Sequence, residues 1–122
     1  MSAKPNPAFP LSRFRILGDT VYVSGQVPVK GGEIIEGNFE AQVRQTLENL
    51  RAALEAAGSS LGHVVKCNCY LRRDGDVAEF NRIYREFFAA VPELPARTTL
   101  IAAPPNPKVD VEVECIAGRG RA

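Results

Sequence analysis

Three carboxylates stand in a row in the last predicted strand. Between residues 109 and 116 acidic and apolar positions alternate, with Asp110, Glu112 and Glu114 set between Val109, Val111, Val113 and Cys115. Because successive side chains of a strand point to opposite faces, the carboxylates share one face of the sheet and the valines share the other. Like charges in such a row repel unless water, a cation or another chain relieves them. The face is therefore either solvated or part of an interface in which one carboxylate does chemistry.

A guanidinium group is the second candidate. Arg97 follows Leu94-Pro95-Ala96 and opens a predicted strand that runs from Arg97 to Ala102. A guanidinium group whose backbone position is fixed by a proline turn suits bidentate binding of a carboxylate or a phosphate. The alternative is that Arg97 is an ordinary solvated surface arginine. Thr98 and Thr99 beside it are either plain strand formers or hydroxyl donors to the same ligand.

The histidine and cysteine content argues against a metal site. His63 is the single histidine, and Cys67-Asn68-Cys69 lacks the ligand spacing of a zinc site. We therefore expect no metal. Glycine pairs such as Gly31-Gly32 match neither a P-loop nor a dinucleotide fingerprint, so no nucleotide cofactor is expected either. The three cysteines are expected to be small buried side chains without a disulfide framework. A Ser-His-Asp triad with Ser24 stays open by composition, but Ser24 lies in no nucleophile elbow.

The net charge bounds the kind of partner. Fifteen Lys and Arg against fourteen Asp and Glu give a net charge of +1, so the chain has no broad field that would attract RNA or an anionic membrane. No apolar run approaches the roughly 20 residues that span a bilayer, and no signal peptide is recognisable. We expect a cytoplasmic protein that forms one domain over residues 1–122. Its expected partner is a small molecule or a second copy of the chain.

Two helices are expected to position these groups. The first is predicted from Phe39 to Ala57, between an N-cap at Asn38 and a C-terminal glycine at Gly58. The second opens at Asp76 with capping-box spacing to Glu79 and is ended by Pro92. Each carries one apolar stripe, formed by Val43, Leu47, Leu50, Leu54 and Ala57 in the first and by Val77, Phe80, Ile83, Tyr84, Phe87, Phe88 and Val91 in the second.

Alternating patterns predict strands in the rest of the chain. Residues 13–17 and 20–24 form a hairpin that turns at Gly18-Asp19, and a short strand is expected at residues 33–35. Residues 64–71 alternate, with Val65, Cys67, Cys69 and Leu71 on one face. Strands 97–102 and 109–116 follow, and residues 1–10, with three prolines, form an extended arm. Both helices are expected on one face of a single sheet.

In this order and spacing the motifs resemble the Rid/YjgF family of imine/enamine deaminases over almost the whole chain. Three stretches carry the resemblance: Val23-Ser24-Gly25-Gln26-Val27-Pro28, Leu94-Pro95-Ala96-Arg97-Thr98-Thr99 and Val111-Glu112-Val113-Glu114-Cys115-Ile116-Ala117. The resemblance implies a chorismate-mutase-like α+β fold, in which two helices pack on one face of a mixed sheet. It also implies a homotrimer whose sheets face inward and leave a cleft at each subunit interface.

The resemblance further assigns roles to single residues. Arg97 would bind the substrate carboxylate, Glu112 would position a water, and Ser24, Gly25 and Thr99 would line the pocket. The implied reaction hydrolyses a 2-imino or enamine acid to a 2-keto acid and ammonia, with neither metal nor organic cofactor.

Two positions depart from the family pattern. Leu11 stands where many deaminating members have a tyrosine, and Thr99 where many have a cysteine. The substrate can therefore differ from the usual small enamines, and an aromatic-degradation product such as aminomuconate is one alternative. Two other functions stay open. One is a non-catalytic module that binds a small carboxylate such as a keto acid, and the other is an endoribonuclease-like translation inhibitor, against which the neutral charge weighs.

Overall fold

A computed structural model describes residues 5–6 and 9–120. The strands are β1 (Pro5–Asn6), β2 (Phe9–Ser12), β3 (Phe14–Leu17), β4 (Thr20–Gln26), β5 (Val29–Lys30), β6 (Glu33–Ile34), β7 (Val64–Leu71), β8 (Ala96–Ile101) and β9 (Val111–Gly118). The helices are α1 (Phe39–Ala56) and α2 (Val77–Phe87), and two short 3-10 turns lie at Leu61–His63 and Asp74–Asp76. The rest of the predicted arm, residues 1–4, 7 and 8, lies outside the described residues.

Five strands form one mixed sheet in the order β3-β4-β9-β7-β8. All neighbours are antiparallel except β7 and β8, which run parallel. Strand β9 is central, and its side chains alternate strictly between buried and half-buried along its whole length. The predicted α+β fold, a mixed sheet with two helices on one face, is thereby confirmed.

Helix α1 packs its apolar stripe into the core on the covered face of the sheet. The five residues of its predicted stripe are all buried. Asn38 caps its amino end by accepting a hydrogen bond from the backbone N–H of Ala41 at 2.8 Å, and Gly58 follows its carboxyl end with φ of +80°. Both predicted ends are confirmed, because these signals are local to the sequence. No helix in the described ranges is long and apolar enough to cross a membrane.

Helix α2 differs from its prediction at both ends. The capping box is wrong: the side chain of Asp76 makes no capping hydrogen bond, because a 3-10 turn (Asp74–Asp76) leads into the helix. The helix ends at Phe87, well before Pro92, and the chain continues in turns that keep Phe88 buried. The inward stripe is nevertheless confirmed, since Phe80, Ile83 and Tyr84 are buried as well.

Strand β7 contains a register shift that its sequence does not reveal. Val64 pairs with Ala117 and Lys66 with Ile116, so an irregularity falls between Val64 and Lys66. Val64 is buried, while Val65, which was expected to point inward, is 58% exposed. An extra residue in one strand reverses the alternation on one side of the irregularity.

One buried amide joins three segments around the carboxylate strand. The Gln42 side chain, 1% exposed, donates hydrogen bonds to the carbonyls of Ile35 and Lys108 and accepts one from the backbone N–H of Asp110. All three bonds measure 2.8 Å. Helix α1 thus fixes the point at which the chain enters β9.

The substitution Gln42→Ala should lower the free energy of unfolding by about 2–4 kcal/mol, because it leaves buried backbone groups without partners. Gln45→Ala is the matched control, since Gln45 lies on the same helix and, within residues 5–6 and 9–120, its side chain bonds only to Asn49. It should cost less than about 1 kcal/mol. Urea unfolding at one protein concentration measures both, and equal losses would contradict this role of Gln42.

Candidate functional site

The carboxylate of Glu112 lies half-buried on the sheet face that the helices leave open. No side chain among the described residues donates a hydrogen bond to it. Burial, and secondarily the neighbouring charge of Glu114, raise the pKa of Glu112 above its ordinary value of 4.5. An under-solvated carboxylate without a protein donor can accept a proton or hold a polar ligand.

Gly25 provides the space that Glu112 occupies. Strand β4 is irregular between Val23 and Gln26, and a Cβ atom at Gly25 would lie 2.0 Å from Oε2 of Glu112. No other residue type fits at this position unless the carboxylate moves. The structure therefore brings together Gly25 and Glu112, two residues that the resemblance assigns to the site, and glycine allows the close approach.

The three carboxylates of the predicted row have different surroundings. Asp110 lies just before β9 and forms ion pairs with Arg72 and Arg73, at 3.4 and 3.0 Å. Glu114 accepts hydrogen bonds from Asn68 at 3.0 Å and Tyr70 at 3.3 Å. Their repulsion is thus relieved within the chain, and Glu112 is left as the carboxylate without such partners among the described residues.

The hydroxyl of Ser24 is directed at strand β2. It donates a hydrogen bond to the carbonyl of Ser12 at the end of β2, and the backbone N–H of Ser24 donates to Arg13 at 3.0 Å. His63 contacts Ser60 instead, with 2.7 Å between Nδ1 and Oγ. This hydrogen-bond arrangement gives no support to a triad of Ser24 and His63. Leu11, at the position of the family tyrosine, is 50% exposed on β2.

Arg97 is held on the other face of the sheet. It is in register with the buried Cys67 on β7, and its Nη2 donates to Oδ1 of Asn81 on α2 at 2.6 Å. The guanidinium carbon lies 4.8 Å from the ring centroid of Tyr84 and 5.4 Å from that of Phe80. Two aromatic rings and one amide therefore fix the direction of the fork, and its other donors are left for a ligand.

Thr99 lies on the same side of β8 as Arg97. It is in register with Cys69, and its hydroxyl is buried without a hydrogen-bond partner among the described residues. A buried hydroxyl without a partner is costly unless a ligand satisfies it. Arg97 and Thr99, which the resemblance assigns to one pocket, thus lie on the same side of the edge strand β8.

Within one chain the sheet separates the two predicted catalytic groups. The Arg97 guanidinium contacts α2, whereas Glu112 contacts Gly25 on the open face. Strand β7 also lies between β8 and β9. Gly25 lies against Glu112, and Ser24 is its neighbour in the chain. Thr99 lies on the same side of β8 as Arg97, so the two groups form separate halves.

A pocket of about 260 Å³ lies in front of Arg97. Its lining consists of Asn81, Tyr84, Arg85, Leu94, Pro95 and Arg97. The sequence analysis assigned no site role to the three residues of α2 and placed Tyr84 in the inward stripe of the helix. The signal available was their spacing, because Asn81, Tyr84 and Arg85 at i, i+3 and i+4 share one side of a helix.

The cysteines take no part in either half. All three are buried and free, as expected. Burial and the neighbouring Cys67 raise the pKa of Cys69 to about 12, so its thiol is a poor nucleophile at neutral pH. Within the described ranges no cluster of His, Cys, Asp and Glu is placed to hold a metal ion.

Comparison with known proteins identifies the family. Residues 1–118 match the model of the family described as Endoribonuclease L-PSP. A RutC family protein of Pyrococcus horikoshii is 39% identical, over 93% of this chain and 90% of the relative. The YjgF gene product of E. coli superposes with a TM-score of 0.84 at 35% identity, over 90% of this chain and 88% of that one. The chain belongs to the Rid/YjgF family.

One relative in the Rid/YjgF family carries a name that states an activity. A protein of Dermatophagoides farinae named 2-iminobutanoate/2-iminopropanoate deaminase is 35% identical, over 88% of this chain and 86% of the relative. The resemblance of the sequence motifs to this family is confirmed over nearly the whole chain.

The substitution Glu114→Gln should move the titration of Glu112 to lower pH. It removes a like charge, so the ionised form of Glu112 is less opposed, while burial, the larger cause, still holds its pKa above 4.5. A carbon-13 titration that follows the Glu112 carboxyl measures the effect. Asp110→Asn is the control and should leave the titration unmoved, because Asp110 is paired with Arg72 and Arg73. An unchanged or raised Glu112 titration in Glu114→Gln would be inconsistent with this electrostatic account.

Proposed function

We propose that this protein hydrolyses 2-imino acids, in tautomeric balance with their enamines, to 2-keto acids and ammonia. The observation that carries the proposal is the environment of Arg97, whose fork is fixed by Asn81 and Tyr84 beside a pocket. A fixed, planar cation suits the carboxylate that every 2-imino acid carries next to its reacting carbon. The relative named as a deaminase supports the same reaction class.

The reaction needs one water and one group that moves protons. The water oxygen attacks the imine carbon, the carbon–nitrogen π electrons pass to nitrogen, and the nitrogen is protonated to give a carbinolamine. The carbon–nitrogen bond then breaks, the hydroxyl oxygen becomes the keto oxygen, and ammonia leaves with the transferred protons. The imine carbon is already electrophilic, so alignment of substrate and water supplies most of the acceleration.

Glu112 is the proposed proton carrier. Its carboxylate has no donor among the described residues, and its raised pKa makes it a better base than an ordinary glutamate. It would accept a proton from the attacking water and return one to the departing nitrogen. Gly25 keeps it in place by leaving the space it needs.

A homotrimer would join the two halves of the site. Because the sheet separates Arg97 from Glu112 within one chain, a shared site requires the edge strand β8 of one subunit to meet the open sheet face of the next. That open face carries the exposed apolar residues Tyr22 and Leu100, at 45% and 52% exposure. In a cyclic trimer each subunit gives its Arg97 half to one neighbour and its Glu112 half to the other, so three equal sites form.

Two substitutions relative to the family pattern affect the substrate and not the reaction class. Thr99 places a hydroxyl beside Arg97, where it can bond to a polar ligand atom. Leu11 places an apolar side chain on β2, the strand in which the carbonyl of Ser12 accepts a hydrogen bond from Ser24. We therefore propose a 2-imino acid as substrate, and the pocket around Arg97 selects among substrate side chains.

Binding without catalysis and RNA cleavage are the alternatives. The first predicts keto acid affinity with no faster imine hydrolysis. The second follows from the description of the matching family, and a net charge of +1 weighs against it. RNA cleavage that survives loss of Arg97 in contamination-free protein would favour the second alternative.

The substitution Arg97→Ala should slow hydrolysis of 2-iminobutanoate at low substrate by roughly 10- to 150-fold, because a charge-assisted hydrogen bond worth about 1.5–3 kcal/mol is lost. Arg97→Lys should recover only part of the rate, since lysine keeps the charge and loses the fork. Release of keto acid from imine generated in situ by an amino acid oxidase gives kcat/KM. Circular dichroism checks that both variants fold, and a folded Arg97→Ala protein with the wild-type rate would show that the site assignment is wrong.

A further inference from the structure

We propose that the pocket in front of Arg97 selects substrates with a second anionic group, and that Arg85 binds that group. The inference rests on the proposed function, because it names the substrate class of the same site: a 2-imino dicarboxylate. Arg97 would hold the carboxylate next to the imine carbon. Arg85 would hold the distal carboxylate.

The pocket is lined by cationic residues. Arg85 and Arg97 both line a space of about 260 Å³, and no acidic residue is part of that lining. The polar groups of the other lining residues, the amide of Asn81 and the hydroxyl of Tyr84, are neutral, and Asn81 already accepts a hydrogen bond from Arg97. Two like charges that face one small space favour two negative charges within it.

Two neighbouring arginines of α2 differ in their partners. Arg82 forms ion pairs with three glutamates, Glu40, Glu79 and Glu86. Arg85, one turn further along the same helix, has no carboxylate partner among the described residues and lines the pocket instead. Its five donors are therefore free to bind a ligand.

One wall of the pocket is apolar. Leu94 and Pro95 supply an apolar surface of the pocket that contains the two cations. A short aliphatic chain with a carboxylate at each end matches two cations and an apolar wall. The volume suits a metabolite and is below the range of typical drug-sized sites.

Arg85 also lies in the last turn of α2, where a cation favours the helix dipole. That contribution would change the melting temperature of the protein and leave its preference between ligands unaltered. The preference is therefore the quantity to measure.

The experiment compares ligands of equal chain length with the full-length protein. Calorimetry gives the Kd of 2-oxoglutarate and of 2-oxopentanoate, which differ in the distal carboxylate. The matched kinetic pair is the imines formed in situ by oxidation of glutamate and of norvaline. Arg85→Gln is the test variant, and Arg82→Gln, with the same loss of charge on the same helix, is the control.

We expect wild-type protein to prefer the dicarboxylate by about 3- to 10-fold in Kd and in kcat/KM, since Arg85 is exposed and its pairing is partly screened. Arg85→Gln should abolish this preference and change the Kd of the monocarboxylate by less than about twofold. Arg82→Gln should keep the preference.

Equal affinity of wild-type protein for both acids, binding of neither, or an equal loss of both in Arg85→Gln would overturn the inference. A dicarboxylate preference in Kd without hydrolysis of either imine would instead sink the proposed function and leave the ligand class standing. Hydrolysis of both imines at equal rates would overturn the inference about Arg85 and leave the proposed function standing. The two failures are therefore distinguishable.

Discussion

The one-sided burial of the central strand β9 controls where the chemical groups of this protein lie. Val111, Val113 and Cys115 must face the helices, because only that face of the sheet is covered. The period of two then forces Glu112 onto the open face, between two strands that are themselves fixed by antiparallel pairing. A shift of one residue would exchange the valines and the carboxylates, so burial of the core and placement of Glu112 are the same constraint.

Features encoded locally could be predicted from the sequence. Helix α1 was predicted to within one residue of its end, because its stripe and both capping residues lie within one segment. The β3–β4 hairpin follows from an alternating pattern around Gly18, whose φ is +60°. The resemblance to a known family assigned Gly25 and Glu112 to one pocket, but their direct contact is visible only in the structure, since nothing in either residue alone indicates the other.

Features that depend on partners distant in sequence could not be predicted. Val65 lies at a register shift that is defined only by the pairing with β9. Asp110 is neutralised by Arg72 and Arg73, which a reading of its own strand does not reveal. The direction of Arg97 escaped prediction as well, because β8 is an edge strand without clear alternation, and the rings that hold the guanidinium lie on α2.

The most direct test of the shared site is complementation between two impaired variants, Arg97→Ala and Glu112→Gln. Each site is proposed to take Arg97 from one subunit and Glu112 from its neighbour. In trimers assembled at random from equal amounts of the two chains, about one site in four should then contain both intact residues. The account predicts recovery of about a quarter of the wild-type rate of imine hydrolysis on mixing. No gain over the separate variants, in trimers shown to exchange subunits, would contradict a site shared between chains.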